Sequence, residues 1–139
     1  MDRAAIVDLL VRYCTALRTQ DVDLLDDVFT ADATIDYTRI GGSRAGVSDT
    51  KAWLSALLTE VQWFDLMIGD SEFTVAPDRA SASVVTTWHG LFVPRDGPAL
   101  QIYGHYEDRL VRQAGWRIAE RTDFPGYQVV TTPAGPQNT

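Results

Sequence analysis

Apolar residues at Ile6, Leu9, Leu10, Tyr13 and Leu17 return every three or four positions, which is the spacing of one helix face. The spacing predicts a helix over 3–18, with Asp2 placed to cap its start. After the polar break Thr19-Gln20-Asp21, the run "DVDLLDDVF" puts Leu24, Leu25, Val28 and Phe29 on one face of a short second helix capped by Asp21. The period then falls to two. In "ATIDY" the side chains of Ala33, Ile35 and Tyr37 share one strand face, and Thr34 and Asp36 share the other. Glycines in "RIGGSRAGVS" mark a loop, and Ser48 is placed to cap a third helix carrying Trp53, Leu54, Leu57, Leu58 and Val61.

Everything beyond reads as strand. Runs over 63–76, 79–94, 99–112 and 116–124 are separated by turn signals at Pro77-Asp78, Arg95 to Pro98 and Ala114-Gly115, which predicts a four-stranded antiparallel meander. Helices gathered ahead of a sheet give the α+β class. A strongly twisted sheet curling over the first helix would leave an apolar cavity between the two, the natural seat for a ligand. The pattern gives a single domain over 1–124 and, from its Pro and Gly content, an extended or partly disordered tail over 125–139.

Composition narrows the partners. The 139 residues carry a net charge of −7, so there is no cationic surplus to neutralise phosphates, and neither nucleic acid nor an anionic membrane is expected as a partner. A small apolar or weakly polar organic ligand fits better. One cysteine and two histidines exclude a zinc cluster of the usual Cys/His spacing, and no metal or cofactor is expected. The start "MDRAAIVDLL" lacks the basic stretch of a secretory signal, and no apolar run nears the roughly 18 residues of a membrane span, so a cytoplasmic setting is expected.

The feature most like a site lies on the third long strand. Ile102, Gly104, Tyr106, Asp108 and Leu110 share a face opposite the more polar Gln101, Tyr103, His105, Glu107 and Arg109. Asp108 is therefore a carboxylate in an apolar row, and must be paired, hydrogen-bonded or shifted in pKa. His89 is a candidate partner across the sheet. Tyr13 sits in the stripe of the first helix, and Tyr37 enters the interior while Asp36 points out. Each has a plainer reading: a core tyrosine with its hydroxyl at the rim, a satisfied structural histidine, an aspartate paired with an arginine or with backbone.

Two stretches, "VRYCTALRTQDVDLLDDVFTADATIDY" and "GHYEDRLVRQAGWRIAER", resemble the NTF2-like superfamily and its SnoaL-like branch, over about residues 3–124. The resemblance implies a cone of curved sheet closed by three helices, a homodimer formed through the sheet, and a pocket to which Leu17, Trp53, Leu66 and Tyr106 would contribute substrate contacts. Similarity to ketosteroid isomerases sets Tyr13 at the oxyanion-binding tyrosine, Tyr37 at the general base and Asp108 at the protonated oxyanion-hole aspartate. The resemblance thus implies for Asp108 a carboxyl kept neutral by an apolar site, as in those enzymes. Similarity to scytalone dehydratases instead matches Tyr37 to a pocket tyrosine, but sets Arg18 and Leu66 where those enzymes carry an aspartate and a histidine. The second catalytic histidine would fall near Arg95, with His89 as the nearest substitute.

These observations imply a small acid–base enzyme that transfers a proton on a cyclic or polyketide-like carbonyl compound, as a dehydratase, isomerase or cyclase. Asp108, with His89, would move the proton, and Tyr37 and Tyr13 would hydrogen-bond the enolate oxygen. Asp108 with a raised pKa and neutral His89 are both open as the base. The alternative from a different class is a non-catalytic dimeric pocket protein that binds a small apolar metabolite. Epoxide opening, as in limonene-epoxide-hydrolase-like relatives, needs an Asp–Arg–Asp set, for which the alternation supplies no second inward aspartate.

Overall fold

The computed structural model describes residues 2–132. Helix α1 spans Asp2–Arg18 and buries Ile6, Leu9, Leu10, Tyr13 and Leu17, the predicted stripe, together with Cys14 and Ala16. Asp2, read from sequence as the cap, is the first residue of the helix itself. The Asp2 carboxylate takes Arg79 at 2.7 Å, Arg112 at 3.4 Å and the indole N–H of Trp116 at 3.3 Å, so the start of α1 is tied to the far end of the sheet. The helix stops at Gln20, whose φ of 57° is left-handed.

A 3₁₀ helix, Val22–Asp27, follows, then strand β1, Phe29–Asp36, a 3₁₀ turn at Thr38–Ile40, and the two-residue strand β2, Arg44–Ala45. Helix α2 spans Val47–Thr59 with Gly46 at its N-cap, so Ser48 lies inside the first turn and caps nothing. The reason is local: β2 pairs with Ile35 and Asp36 and delivers the chain into the helix two residues early.

The long strands are β3, Val61–Val75, β4, Ser81–Pro94, β5, Ala99–Arg112, and β6, Trp116–Thr131. They form the predicted antiparallel meander, and the full sheet runs β2-β1-β6-β5-β4-β3, with β1 parallel to β6. This is the α+β arrangement of three helices against one curved sheet. Residues 125–131, read from sequence as a tail, form the second half of β6 and pair with β5, while 133–139 lie outside the described residues. The pairing depends on Gly104, opposite Pro125: a Cβ there would stand 2.5 Å from the Phe124 carbonyl oxygen. Among the described residues no helix is long and apolar enough to cross a membrane.

The inner face of the sheet is set by alternation. Ala82, Val84, Thr86 and Trp88 of β4 and Ile102, Tyr106, Asp108 and Leu110 of β5 are buried on that face. The β6 register slips against β5 twice, once between Pro125 and Gln128 and once between Ile118 and Glu120, and the second slip re-aims the buried side chains. Leu110 pairs with Ile118 but Arg109 pairs with Glu120, so Ala119 is an extra residue, a bulge. Trp116 and Ile118 point inward before it, and Arg121 and Asp123 point inward after it, all four nearly fully buried.

Candidate active site

Two connected spaces open between α2 and the inner face of the sheet. The outer, of about 440 Å³, is walled by apolar side chains including Trp53, Leu57, Val61, Trp88, Phe92 and Leu100. Ile40, Trp53, Leu57, Trp88 and Phe92 also wall an inner space of about 30 Å³, which ends on Tyr13, Tyr106 and Asp123. That inner volume is small beside the outer one. A ligand would therefore lodge its apolar body in the outer chamber and present one polar atom inward.

The polar groups at the inner end form two sets. In the first, Asp108 and Arg121, cross-strand partners on β5 and β6, make a bidentate ion pair: Nε to Oδ1 at 2.8 Å and Nη2 to Oδ2 at 2.9 Å, with both side chains fully buried. The guanidinium is packed among rings, its Cζ lying 3.8 Å from the centroid of Tyr106 and 4.4 Å from that of Tyr13. Burial works against its charge, yet the Asp108 carboxylate lifts Arg121 well above its ordinary value. Arg121 Nη1 is the one fully buried side-chain polar atom without a partner among the described residues. In the second set, the hydroxyls of Tyr13 and Tyr37 share a buried hydrogen bond of 2.6 Å. Burial raises both phenols, so they are neutral hydrogen-bond donors at physiological pH.

Asp123 stands between the sets. It is 1% exposed, and its Oδ1 accepts a hydrogen bond of 2.9 Å from the indole N–H of Trp88. Burial pushes its carboxyl up to about 7, against the opposing pull of Arg121 and Trp88. A carboxyl poised near neutrality at the blind end of an apolar cavity has the protonation behaviour of a general base or acid.

Tyr13, Leu17, Trp53, Leu66 and Tyr106 line the inner space. Tyr37 is buried behind Tyr13 and bonded to it. Asp108 is buried in its apolar row but lies behind the cavity wall, with both oxygens engaged by Arg121. His89 is not its partner: the inward set on β4 includes Trp88, so His89 points to the opposite face, where its Nε2 is 3.2 Å from Gln101 and its ring stacks on Tyr103 at 4.3 Å. Asp36 faces out and accepts hydrogen bonds from the backbone N–H and hydroxyl of Thr38, which hold its carboxyl below the usual range.

Sequence reasoning missed Asp123 and Arg121. Strict alternation from Trp116 and Ile118 points both outward, and only the bulge at Ala119 turns them in. An inward Asp–Arg–Asp set therefore exists, contrary to the expectation from alternation, although only Asp123 among the three reaches the cavity. The one signal in the sequence was the loss of apolar alternation after Ile118. No group of three or more His, Cys, Asp or Glu side chains is arranged to hold a metal ion among the described residues.

A family model for the SnoaL-like domain matches residues 1–122. An uncharacterised protein of Mycobacterium tuberculosis is 35% identical over 128 residues, covering 91% of this chain and 87% of that one. Among solved structures, a candidate aromatic ring hydroxylase of Novosphingobium aromaticivorans superposes with a TM-score of 0.83 at 28% identity, covering 94% of this chain and 93% of its own. A candidate scytalone dehydratase of the same organism superposes with a TM-score of 0.82 at 18% identity, covering 98% and 95%, a likeness of fold.

Proposed function

The chain belongs to the SnoaL-like domain family, and from that membership we propose that it is an acid–base enzyme moving a proton on a cyclic or polyketide-like carbonyl substrate, as a dehydratase, isomerase or cyclase. One observation carries the reading: Asp123, held near neutrality by burial, closes the inner end of an otherwise apolar cavity. In this mechanism the ring system of the substrate fills the outer chamber. Its acidic C–H lies against the free oxygen of Asp123, which takes the proton. Negative charge then grows on the carbonyl oxygen, where the Tyr13 hydroxyl donates a hydrogen bond while accepting one from Tyr37. Arg121, behind the rings of Tyr13 and Tyr106, offsets that charge in a site shielded from water. Asp108 takes no proton. It is the counter-ion that keeps Arg121 in place.

The test is exchange of an acidic α-proton for deuterium in heavy water, with β-tetralone as the probe. Asp123→Asn should slow enzymatic exchange by about 10²–10⁴-fold, the usual worth of a general base, while Asp36→Asn should leave it unchanged. Equal rates for wild type and Asp123→Asn overturn the assignment.

A second reading, a pocket protein without catalysis, is favoured by Arg18 and Leu66, which stand where the dehydratases carry acid–base residues. Ketones that raise the melting temperature with no exchange above the Asp123→Asn background would establish that reading instead. In either case we propose a homodimer formed through the outer sheet face, where Trp63 and Met67 are 63% and 53% exposed beside Tyr103.

A further inference from the structure

Trp88 on β4 pairs with Gly104 on β5, and Gly104 in turn pairs with Pro125 on β6. Neighbouring strands lie about 4.8 Å apart, so a β4 side chain reaches Asp123 on β6 only by crossing the whole width of β5. The indole makes that crossing. It stacks on Tyr106 at 5.7 Å and 23°, and its N–H arrives at Asp123 Oδ1 at 2.9 Å. The path is open because two positions beneath it lack side chains: a Cβ at Gly104 would stand 3.0 Å from Trp88 Cζ2, and one at Gly90 would stand 3.1 Å from Cζ3. Among the described residues nothing donates to Asp123 Oδ2, which is left for the ligand.

We propose that Trp88 is a positioning residue for the reaction: its indole N–H clamps one oxygen of Asp123, favours the ionised carboxylate, and aims the other oxygen at the bound ligand. The proposal rests on the reading of Asp123 as the base. The charged and titratable groups facing Asp123 are Arg121 on its own strand, Tyr106 and Asp108 on β5 with His105 on the far side of that strand, Tyr13 on α1, and Tyr37 after β1. Burial and Asp108 disfavour the carboxylate, and Arg121 and Trp88 favour it. Arg121 is already committed to Asp108 through two hydrogen bonds, so it cannot orient Asp123. The directional bond comes from Trp88 alone among the described residues.

The experiment follows the Trp88 indole N–H resonance of nitrogen-15-labelled protein through a pH titration, the resonance being identified by its loss in Trp88→Phe. A single inflection near neutrality that vanishes in Asp123→Asn is expected. In Trp88→Phe, loss of a hydrogen bond to a charged group should move the midpoint of the pH–exchange profile up by about one to two pH units, so that the deficit shrinks as pH rises. A merely structural role would lower the rate by the same factor at every pH, and that result overturns the proposal. Gly90→Ala is the second variant, since it tilts the indole without removing it. It should move the midpoint in the same direction by less, and an unmoved midpoint in both variants also overturns the proposal. If the indole resonance fails to titrate while Asp123→Asn abolishes exchange, the base stands and the clamp falls. If it titrates while Asp123→Asn exchanges normally, the clamp is real and the base reading falls.

Discussion

Asp123 bears on the stability of the molecule through its protonation. Its folded pKa, about 7, lies above the roughly 3.9 of an unfolded aspartate, so between those values the folded chain holds a proton that the unfolded chain has released. Stability attached to this residue is present in full below the lower value and is lost as pH rises to the upper one. Asp123→Asn removes the loss. Its unfolding free energy relative to wild type should climb by about 1.4 kcal/mol per pH unit up to neutrality and level off above it, measured by urea titration at each pH. Burial pushes the Asp108 carboxyl up as well, against the pull of Arg121, but in the fold it is the counter-ion of that guanidinium. Asp108→Asn strands the Arg121 charge in the core and should destabilise the fold by about 3–5 kcal/mol, whereas Asp36→Asn at the surface should change stability by less than about 0.5 kcal/mol. Asp108 was legible as an inward carboxylate because alternation on β5 is unbroken, but its partner was not, because Arg121 lies beyond the bulge.

At the scale of elements, that bulge at Ala119 divides what local pattern reveals from what it hides. The α1 stripe and the meander follow from periods of 3.6 and 2, and both appear where those periods put them. A one-residue insertion within a strand leaves the period intact on either side and reverses which face is buried. Deleting Ala119 should therefore force either Trp116 and Ile118 or Arg121 and Asp123 out of the core, with loss of the cooperative unfolding transition by circular dichroism; Ala119→Gly should keep it. The same distinction explains His89. A partnership with Asp108 needs the His89 row on the inner face, but Trp88, the larger and more apolar neighbour, claims that face. Tyr37 is a simpler case, since Ala33, Ile35 and Tyr37 continue one buried face to the end of β1.

For the whole molecule, the cavity lies where α2 and the open ends of the long strands leave the sheet uncovered, and its walls are almost wholly apolar. Ligands with an apolar ring system and one inward oxygen should raise the melting temperature, and polar or anionic metabolites should not, as read by a thermal-shift screen. The outer sheet face sets the second prediction at this scale. Met67, His89 and Tyr103 stand in register across three strands there, so Met67→Glu should convert a homodimer to a monomer in sedimentation velocity. A wild-type chain that sediments as a monomer removes that proposal.

The sequence by itself determined the helices, the order of the meander, the α+β class and the inward side of β1 and β5, because all of these follow from side-chain period over short stretches. Tyr13, Leu17, Trp53, Leu66 and Tyr106 line the inner space because they lie on apolar faces that close over each other. Only the tertiary structure decided which carboxylate reaches the cavity. Asp108 and Asp123 are both buried aspartates, and their difference lies in partners from other strands: Asp108 is neutralised by Arg121, while Asp123 keeps one oxygen free beside the indole of Trp88. Those partners are separated by 13 and 35 residues along the chain and meet only through strand pairing and a bulge, which no local pattern encodes.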